Sequence, residues 1–140
     1  MIRMNSIRVF AALLLLAPVP AFSDALTECL DRSLKDGAVH GDAYCYAAES
    51  ERLDKEVEVL FAEKLRQLDS LPKALAVSKD LQREARHNFT EAQAHWTAYR
   101  DAACRFEGDS NLGTGRPRAY SSCRIELDKR RIADLEASGF

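Results

Sequence analysis

One stripe of apolar side chains, spaced for an α-helix, restricts the fold of this chain more than any other feature. Its members are separated alternately by four and three positions: Ala85, Phe89, Ala92, Trp96, Tyr99, Ala103 and Phe106. This spacing places all of them on one face of a helix. The stripe holds the only tryptophan. We therefore expect Trp96, Tyr99 and Phe106 to face the core.

The other segments also predict helices, and none predicts a strand. Helical apolar patterns cover residues 24–35, 43–71 and 119–137, and the stripe belongs to a pattern over residues 73–106, read as one helix or as two joined near Val77. No alternating run of β-branched residues is present. Three glycines and a proline predict a long loop from Glu107 to Arg118. The predicted fold class is all-α: a small antiparallel helical bundle with three long helices and a short N-terminal helix.

The start of the chain has the order of a secretory signal peptide. Basic Arg3 and Arg8 precede an apolar run at residues 9–17, and small residues lead to Ser23. The run is too short to span a bilayer, and no cysteine follows it for lipid attachment. We expect cleavage of residues 1–23 to leave a single domain at residues 24–140, periplasmic or secreted, without a stable membrane anchor.

The charge of the mature chain narrows its partners. Loss of Arg3 and Arg8 reduces the 20 basic side chains to 18, against 22 acidic ones, which leaves a net charge of −4. Non-specific nucleic-acid binding requires a basic patch, so we expect no nucleic-acid partner. Mild acidity is compatible with a cationic protein partner.

Four cysteines, all in the exported part, predict two disulfides. They are Cys29, Cys45, Cys104 and Cys123. Three pairings are possible, and we favour Cys29 with Cys45 and Cys104 with Cys123, because each closes a short glycine-containing loop between predicted helices. Zinc binding by these cysteines is the competing interpretation, but they lack the close Cys-x-x-Cys pairs of zinc sites.

The sequence contains no convincing catalytic or cofactor site. His87, Glu91 and His95 are spaced to share a helix face as metal ligands, but the face drifts by about 80° over eight residues and no further ligand segment exists. No Gly-x-Ser-x-Gly motif is present, and the cysteines are better used as disulfides. We expect a protein that is not an enzyme and binds no cofactor or metal.

Two groups of residues remain as candidate sites. Arg100 and Asp101 adjoin Trp96 and Tyr99, and we interpret these four as a structural clamp; the alternative is a contact with a partner. The clamp would pair with a charge on the last helix, such as Asp128, Arg130 or Arg131. The second group lies on the predicted loop held by Cys104 and Cys123, as either a partner-binding loop or an ordinary connector: Asp109, Ser110, Asn111, Arg116 and Arg118.

One string of residues resembles a known family. It reads Gln93-x-x-Trp96-x-x-Tyr99-Arg100-Asp101-x-x-Cys104, and it is followed by Ala119-Tyr120, Cys123 and Arg130-Arg131. This string is similar to LprI-type lysozyme-inhibitor N-terminal domains, as are the two early cysteines and the Leu53-Asp54 step. Two features depart from the family: there is no lipid-attachment cysteine, and Gly113 and Gly115 are separated where many members have adjacent glycines.

The resemblance implies a small exported helical domain with paired cysteines which, in one branch of the family, inhibits lysozyme. On this basis we expect the loop to bind a lysozyme-type glycosidase, with Arg116 or Arg118 donating to the two carboxylates of its cleft. The alternative is a non-catalytic cell-envelope interaction module that binds another exported protein and has no effect on lysozyme.

Overall fold

The computed structural model describes residues 24–38, 41–71 and 78–139, and these ranges contain four helices and no strand. They are α1 (Asp24–Lys35), α2 (Gly41–Ser70), α3 (Lys79–Ser110) and α4 (Arg116–Ala137). The all-α prediction is confirmed. The predicted signal peptide at residues 1–23 and the predicted start of the third helix at residues 73–77 lie outside the described residues.

Local hydrogen bonds explain two of the helix ends. At the end of α1, Gly37 adopts a φ of 65° and the Asp36 N–H donates to Arg32 O at 3.0 Å, which is a common helix stop. At the start of α3, Ser78 is the N-cap and its Oγ accepts from the Leu81 N–H at 3.3 Å.

The core lies where α4 packs against both α2 and α3, while α1 packs on α2. Its buried apolar side chains come from α2 and α4: Leu53, Val57, Ile125, Ile132 and Leu135. From α3, Phe89 and Trp96 pack against this cluster while partly exposed. The Phe89 ring stacks on Phe61 of α2 with centroids 5.0 Å apart. Helix α4 is therefore the central element of the bundle.

The two disulfides join consecutive helices, and the predicted pairing is confirmed. Cys29 of α1 bonds Cys45 of α2, and Cys104 of α3 bonds Cys123 of α4, with Cα atoms 5.7 and 5.4 Å apart. Since the closed segments are short, each disulfide is worth about 3 kcal/mol by the chain-entropy model. The bond between Cys104 and Cys123 holds α3 and α4 close together at these two positions.

The apolar stripe of α3 does not face the core along its whole length. Tyr99 is 61% exposed and Phe106 is 72% exposed, so the prediction that they belong to the core is wrong. The buried residues of this helix are Arg100, Cys104 and Gly108. They follow the stripe residues by one or two positions, and each position turns the helix by about 100°.

Close contact between α3 and α4 explains why α3 is rotated about its axis, so that the residues next to the apolar stripe face inward. Cys104 is held by its disulfide, and a methyl group at Gly108 would come within 3.2 Å of Tyr120 Cβ, so the helices approach closely there. Only a glycine allows that approach without displacing the neighbouring side chain. The rotation that brings these two residues inward carries Tyr99 and Phe106 outward.

The long loop predicted between Glu107 and Arg118 is also wrong in its extent. Helix α3 continues to Ser110 and α4 begins at Arg116, so only residues 111–115 are non-helical. The Ser110 hydroxyl donates to Phe106 O at 2.9 Å, and Asn111 Nδ2 donates to Glu107 O at 3.2 Å. These bonds satisfy carbonyls that a helix end leaves free.

Candidate functional site

A cluster of charged side chains lies between α2, α3 and α4. Arg100, only 4% exposed, donates from Nη1 to Asp54 Oδ1 at 2.5 Å and to Asp128 Oδ1 at 2.9 Å. Its Nε donates to Asp101 Oδ1 at 3.0 Å. Arg124 of α4 donates to the other oxygen of Asp54 at 2.7 Å. We call Asp54, Arg100, Asp101, Arg124 and Asp128 the charge cluster; it ties three helices together.

Trp96 lies beside this cluster, between two guanidinium groups. The Arg100 guanidinium carbon is 5.1 Å from the ring centroid and that of Arg131 is 5.6 Å away. Arg131 is oriented by Gln93, whose Oε1 accepts from Nε at 3.0 Å and from Nη2 at 2.8 Å. A cation over an indole is attracted by the ring's electron-rich face. Gln93, Trp96 and Arg131 therefore help to fasten α3 to α4.

The structure brings three of the four candidate clamp residues together. Trp96, Arg100 and Asp101 meet at the charge cluster, whereas Tyr99 is 61% exposed on an adjacent face of α3. Of the charges considered on the last helix, Asp128 bonds Arg100 and Arg131 contacts Trp96, while Arg130 pairs with Glu126 at 3.0 Å on its own helix.

Two members of the charge cluster were not singled out from the sequence as site residues. Asp54 had one signal, its place in the Leu53-Asp54 step, and Arg124 had none. Both are partly exposed and lie on helices with many other charges. Because most such charges are solvated, only the packing of α2 against α4 distinguishes these two.

The pKa values of Asp54 and Asp128, the two most buried aspartates of the charge cluster, are shifted in opposite directions. Burial acts to raise the pKa of Asp54, but hydrogen bonds and charges from Arg100 and Arg124 outweigh it and hold the pKa below its ordinary value. Burial raises the pKa of Asp128 despite its bond to Arg100. Asp128 is 0% exposed, and its Oδ2 has no hydrogen-bond partner in the described part of the chain.

We expect Asp128→Asn to change how stability depends on pH. Because the folded pKa of Asp128 is raised, its contribution to stability is present at low pH and is lost as pH rises through that pKa. The contribution of Asp54 has the opposite sign and is common to both proteins. Urea unfolding between about pH 4 and pH 7 should therefore show wild type losing stability relative to the variant as pH rises. A difference that stays constant over this range would contradict the assignment.

The turn between α3 and α4 forms the second candidate site. Leu112 at its tip is 96% exposed, and Gly113 has a φ of 119°, which favours glycine. Asp109, at the end of α3, forms an ion pair with Arg116, at the start of α4. A cavity of about 300 Å³ beside the turn is lined by both residues and by Arg105, which has no ion pair within the described ranges. We call Arg105, Asp109, residues 111–115 and Arg116 the turn site.

The five candidate loop residues do not form one group. Asp109, Asn111 and Arg116 lie at the turn site, and Ser110 uses its hydroxyl within α3. Arg118 lies apart: its Nη1 is 3.4 Å from Asp42 Oδ2, and its guanidinium is 5.1 Å from the centroid of the Tyr46 ring. Arg118 therefore connects the start of α4 to the start of α2 and not to the turn site.

No other feature of the described residues indicates a metal or membrane site. No group of three or more His, Cys, Asp and Glu side chains suited to a metal ion is found among them. His87 lies 3.5 Å from Glu91 on an exposed part of α3. Within the same ranges, no helix is both long and apolar enough to cross a bilayer.

Comparison with protein families gives one match. The model of a family described as lysozyme inhibitor LprI matches residues 29–135. The matched region includes both disulfides, the charge cluster and the turn site. No curated protein and no solved structure matches the chain.

Proposed function

Because the chain belongs to the LprI lysozyme inhibitor family, we propose that it binds a lysozyme-type glycosidase and blocks its cleft through the turn site. The family is one of inhibitors and not of catalysts. The observation that carries the assignment to the turn is the 96% exposure of Leu112 at the tip of a disulfide-bonded helical hairpin. An apolar side chain presented in this way is suited to enter a concave site.

The charges around Leu112 complement a glycosidase cleft. Such a cleft holds two carboxyl groups, which are about 5 Å apart in retaining enzymes such as lysozyme. Arg116 can donate two parallel hydrogen bonds to a carboxylate, with release of Asp109. The first turn of α4 contains no acidic residue, so the positive end of its helix dipole adds to this attraction.

The turn site is also held in shape before it binds. The disulfide between Cys104 and Cys123 lies within about two helical turns of residues 111–115, and Asn111 caps α3 through its backbone N–H to Gly108 O at 3.1 Å. A loop that is already ordered loses less conformational entropy on binding. Without residues 1–23, 18 basic and 22 acidic side chains leave a net charge of −4, which favours encounter with a cationic lysozyme.

The two disulfides support an exported location. Disulfides persist in oxidising compartments, such as the bacterial periplasm and the extracellular space. We propose that residues 1–23 direct export and are then removed, which places the mature protein where lysozyme acts.

Leu112→Ala combined with Arg116→Ala tests the turn site. Wild-type protein is expected to inhibit cell-wall lysis by lysozyme in a turbidity assay, and the double variant should bind lysozyme at least about tenfold more weakly by calorimetry. The matched control is Leu34→Ala on α1, because Leu34 is 80% exposed but distant in sequence from the turn. Equal inhibition by the double variant and wild type would remove the turn site from the mechanism. Absence of inhibition by folded wild type would favour the envelope interaction module instead.

A further inference from the structure

A second candidate binding surface lies next to the turn, on the two helices that the turn connects. It is an open groove of about 510 Å³ between the outer sides of α3 and α4. We call it the outer groove, and its lining includes Tyr99, Ala103, Phe106, Glu107, Ala119 and Leu127. The small side chains of Ala103 and Ala119 leave room between the helices. The rotation of α3 that exposes Tyr99 and Phe106 is thus what forms the groove.

The outer groove combines exposed aromatic side chains with an unpaired negative charge. Tyr99 and Phe106 are seven residues apart on α3, so they lie on the same face two turns from each other. Glu107 is exposed and forms no ion pair within the described ranges, whereas Glu126 at the same groove is paired with Arg130. A partner that fills the groove should therefore present an apolar side chain next to a basic one.

The turn site alone is too small for a stable protein complex. Stable interfaces use about 20–30 residues from each partner, far more than the turn site offers. The outer groove adjoins it: Phe106 lies one helical turn before Ser110, and Ala119 lies one turn after Arg116. On another side of the turn, Arg118 is already occupied by Asp42 and Tyr46.

From this continuity we propose that the lysozyme bound at the turn site also seats an apolar and basic part of its surface in the outer groove. This inference rests on the proposed function and adds a second contact surface to it. Aromatic side chains are enriched at interfaces and carry a large share of binding energy. Tyr99 and Phe106 add apolar contacts to those of the turn site, and Glu107 pairs with a cation of the lysozyme.

Calorimetric titration of lysozyme into the full mature chain tests the outer groove. The Tyr99→Ala and Phe106→Ala double variant should raise Kd by at least about tenfold. Tyr44→Ala is the matched control, because Tyr44 is 73% exposed but does not line the groove, and its Kd should stay within about twofold of wild type. Glu107→Gln should weaken binding at low salt, and the difference from wild type should shrink as salt is added. Circular dichroism should show the same helix content in these variants as in wild type.

The outcomes separate this inference from the function on which it rests. If wild type binds lysozyme and only the turn-site variant weakens the complex, the outer groove is not a contact and the inference is overturned while the function stands. If folded wild type does not bind lysozyme, both are overturned. Loss of affinity in both the turn-site variant and the Tyr99 and Phe106 variant, with Tyr44→Ala unchanged, supports a contact that spans both surfaces. Loss in the Tyr99 and Phe106 variant alone would overturn the turn site as part of the contact.

Discussion

Arg100→Ala is expected to lower the free energy of unfolding by about 3–5 kcal/mol, the usual cost of removing one partner from a buried ion pair. Arg100 is 4% exposed and donates to carboxylates on all three long helices. Without it, Asp128 is left at 0% exposure beside Asp54, whose negative charge also opposes its ionisation. The variant further loses the guanidinium that lies over the Trp96 ring, 5.1 Å from its centroid.

Urea unfolding at two pH values measures this effect and identifies its cause. If the unpaired charge of Asp128 is responsible, the loss should be larger near pH 7 than near pH 4, because protonation removes the buried charge. Arg130→Ala is the matched control: Arg130 forms only an exposed pair with Glu126, so its loss should cost about 0–1 kcal/mol. A cost for Arg100→Ala as small as that of the control would show that the charge cluster does not hold the fold together.

Removal of the disulfide between Cys104 and Cys123, by alanine at both positions, is expected to cost about 2–5 kcal/mol, the range found when a native disulfide is removed from small secreted domains. The bond closes a segment with a sequence separation of 19, and Cys104 is 0% exposed. Its loss frees the turn to sample more conformations in the folded state as well. If the chain inhibits lysozyme as proposed, inhibition should weaken in addition to the loss of stability.

The other disulfide provides the comparison for this experiment. Cys29 and Cys45 close a segment of similar length, with a separation of 16, but they join α1 to α2. Alanine at these two positions should reduce stability by a similar amount, about 3 kcal/mol on the chain-entropy model, and leave inhibition per folded molecule unchanged. Equal losses of inhibition in the two variants would mean that the bond near the turn has no special part in binding.

Several elements of the fold could be predicted because their causes are local. Helix α1 has the predicted bounds, since Asp36 and Gly37 stop it, and α2 differs only by one or two residues at its ends. Leu53 and Val57 of α2 lie in the core, and their separation of four positions places them on one face of that helix. The sequence also favoured the correct disulfide pairing, because each bond closes a short segment between consecutive helices.

The candidate sites could not be predicted as well from the sequence, because they depend on contacts between residues that are far apart in the chain. Asp54 reaches Arg100 across 46 positions and Arg124 across 70, and no periodicity within one helix records such pairings. The turn is shorter than predicted because Gly108 and Pro117 are accommodated within the end of α3 and the start of α4. Only residues 111–115 needed to leave the helical conformation.

The sequence by itself determined that the chain forms helices and where most of them end, because both depend on neighbouring residues. It favoured, among three possible cysteine pairings, the one that the structure has. The tertiary structure decided which side of α3 faces inward. A seven-residue apolar spacing favours Tyr99 and Phe106 in the core, but the charge cluster at Arg100, the disulfide at Cys104 and the close approach at Gly108 act together on an adjacent face. These contacts with α2 and α4 outweigh the burial of two aromatic rings, and so Tyr99 and Phe106 are left exposed beside the turn.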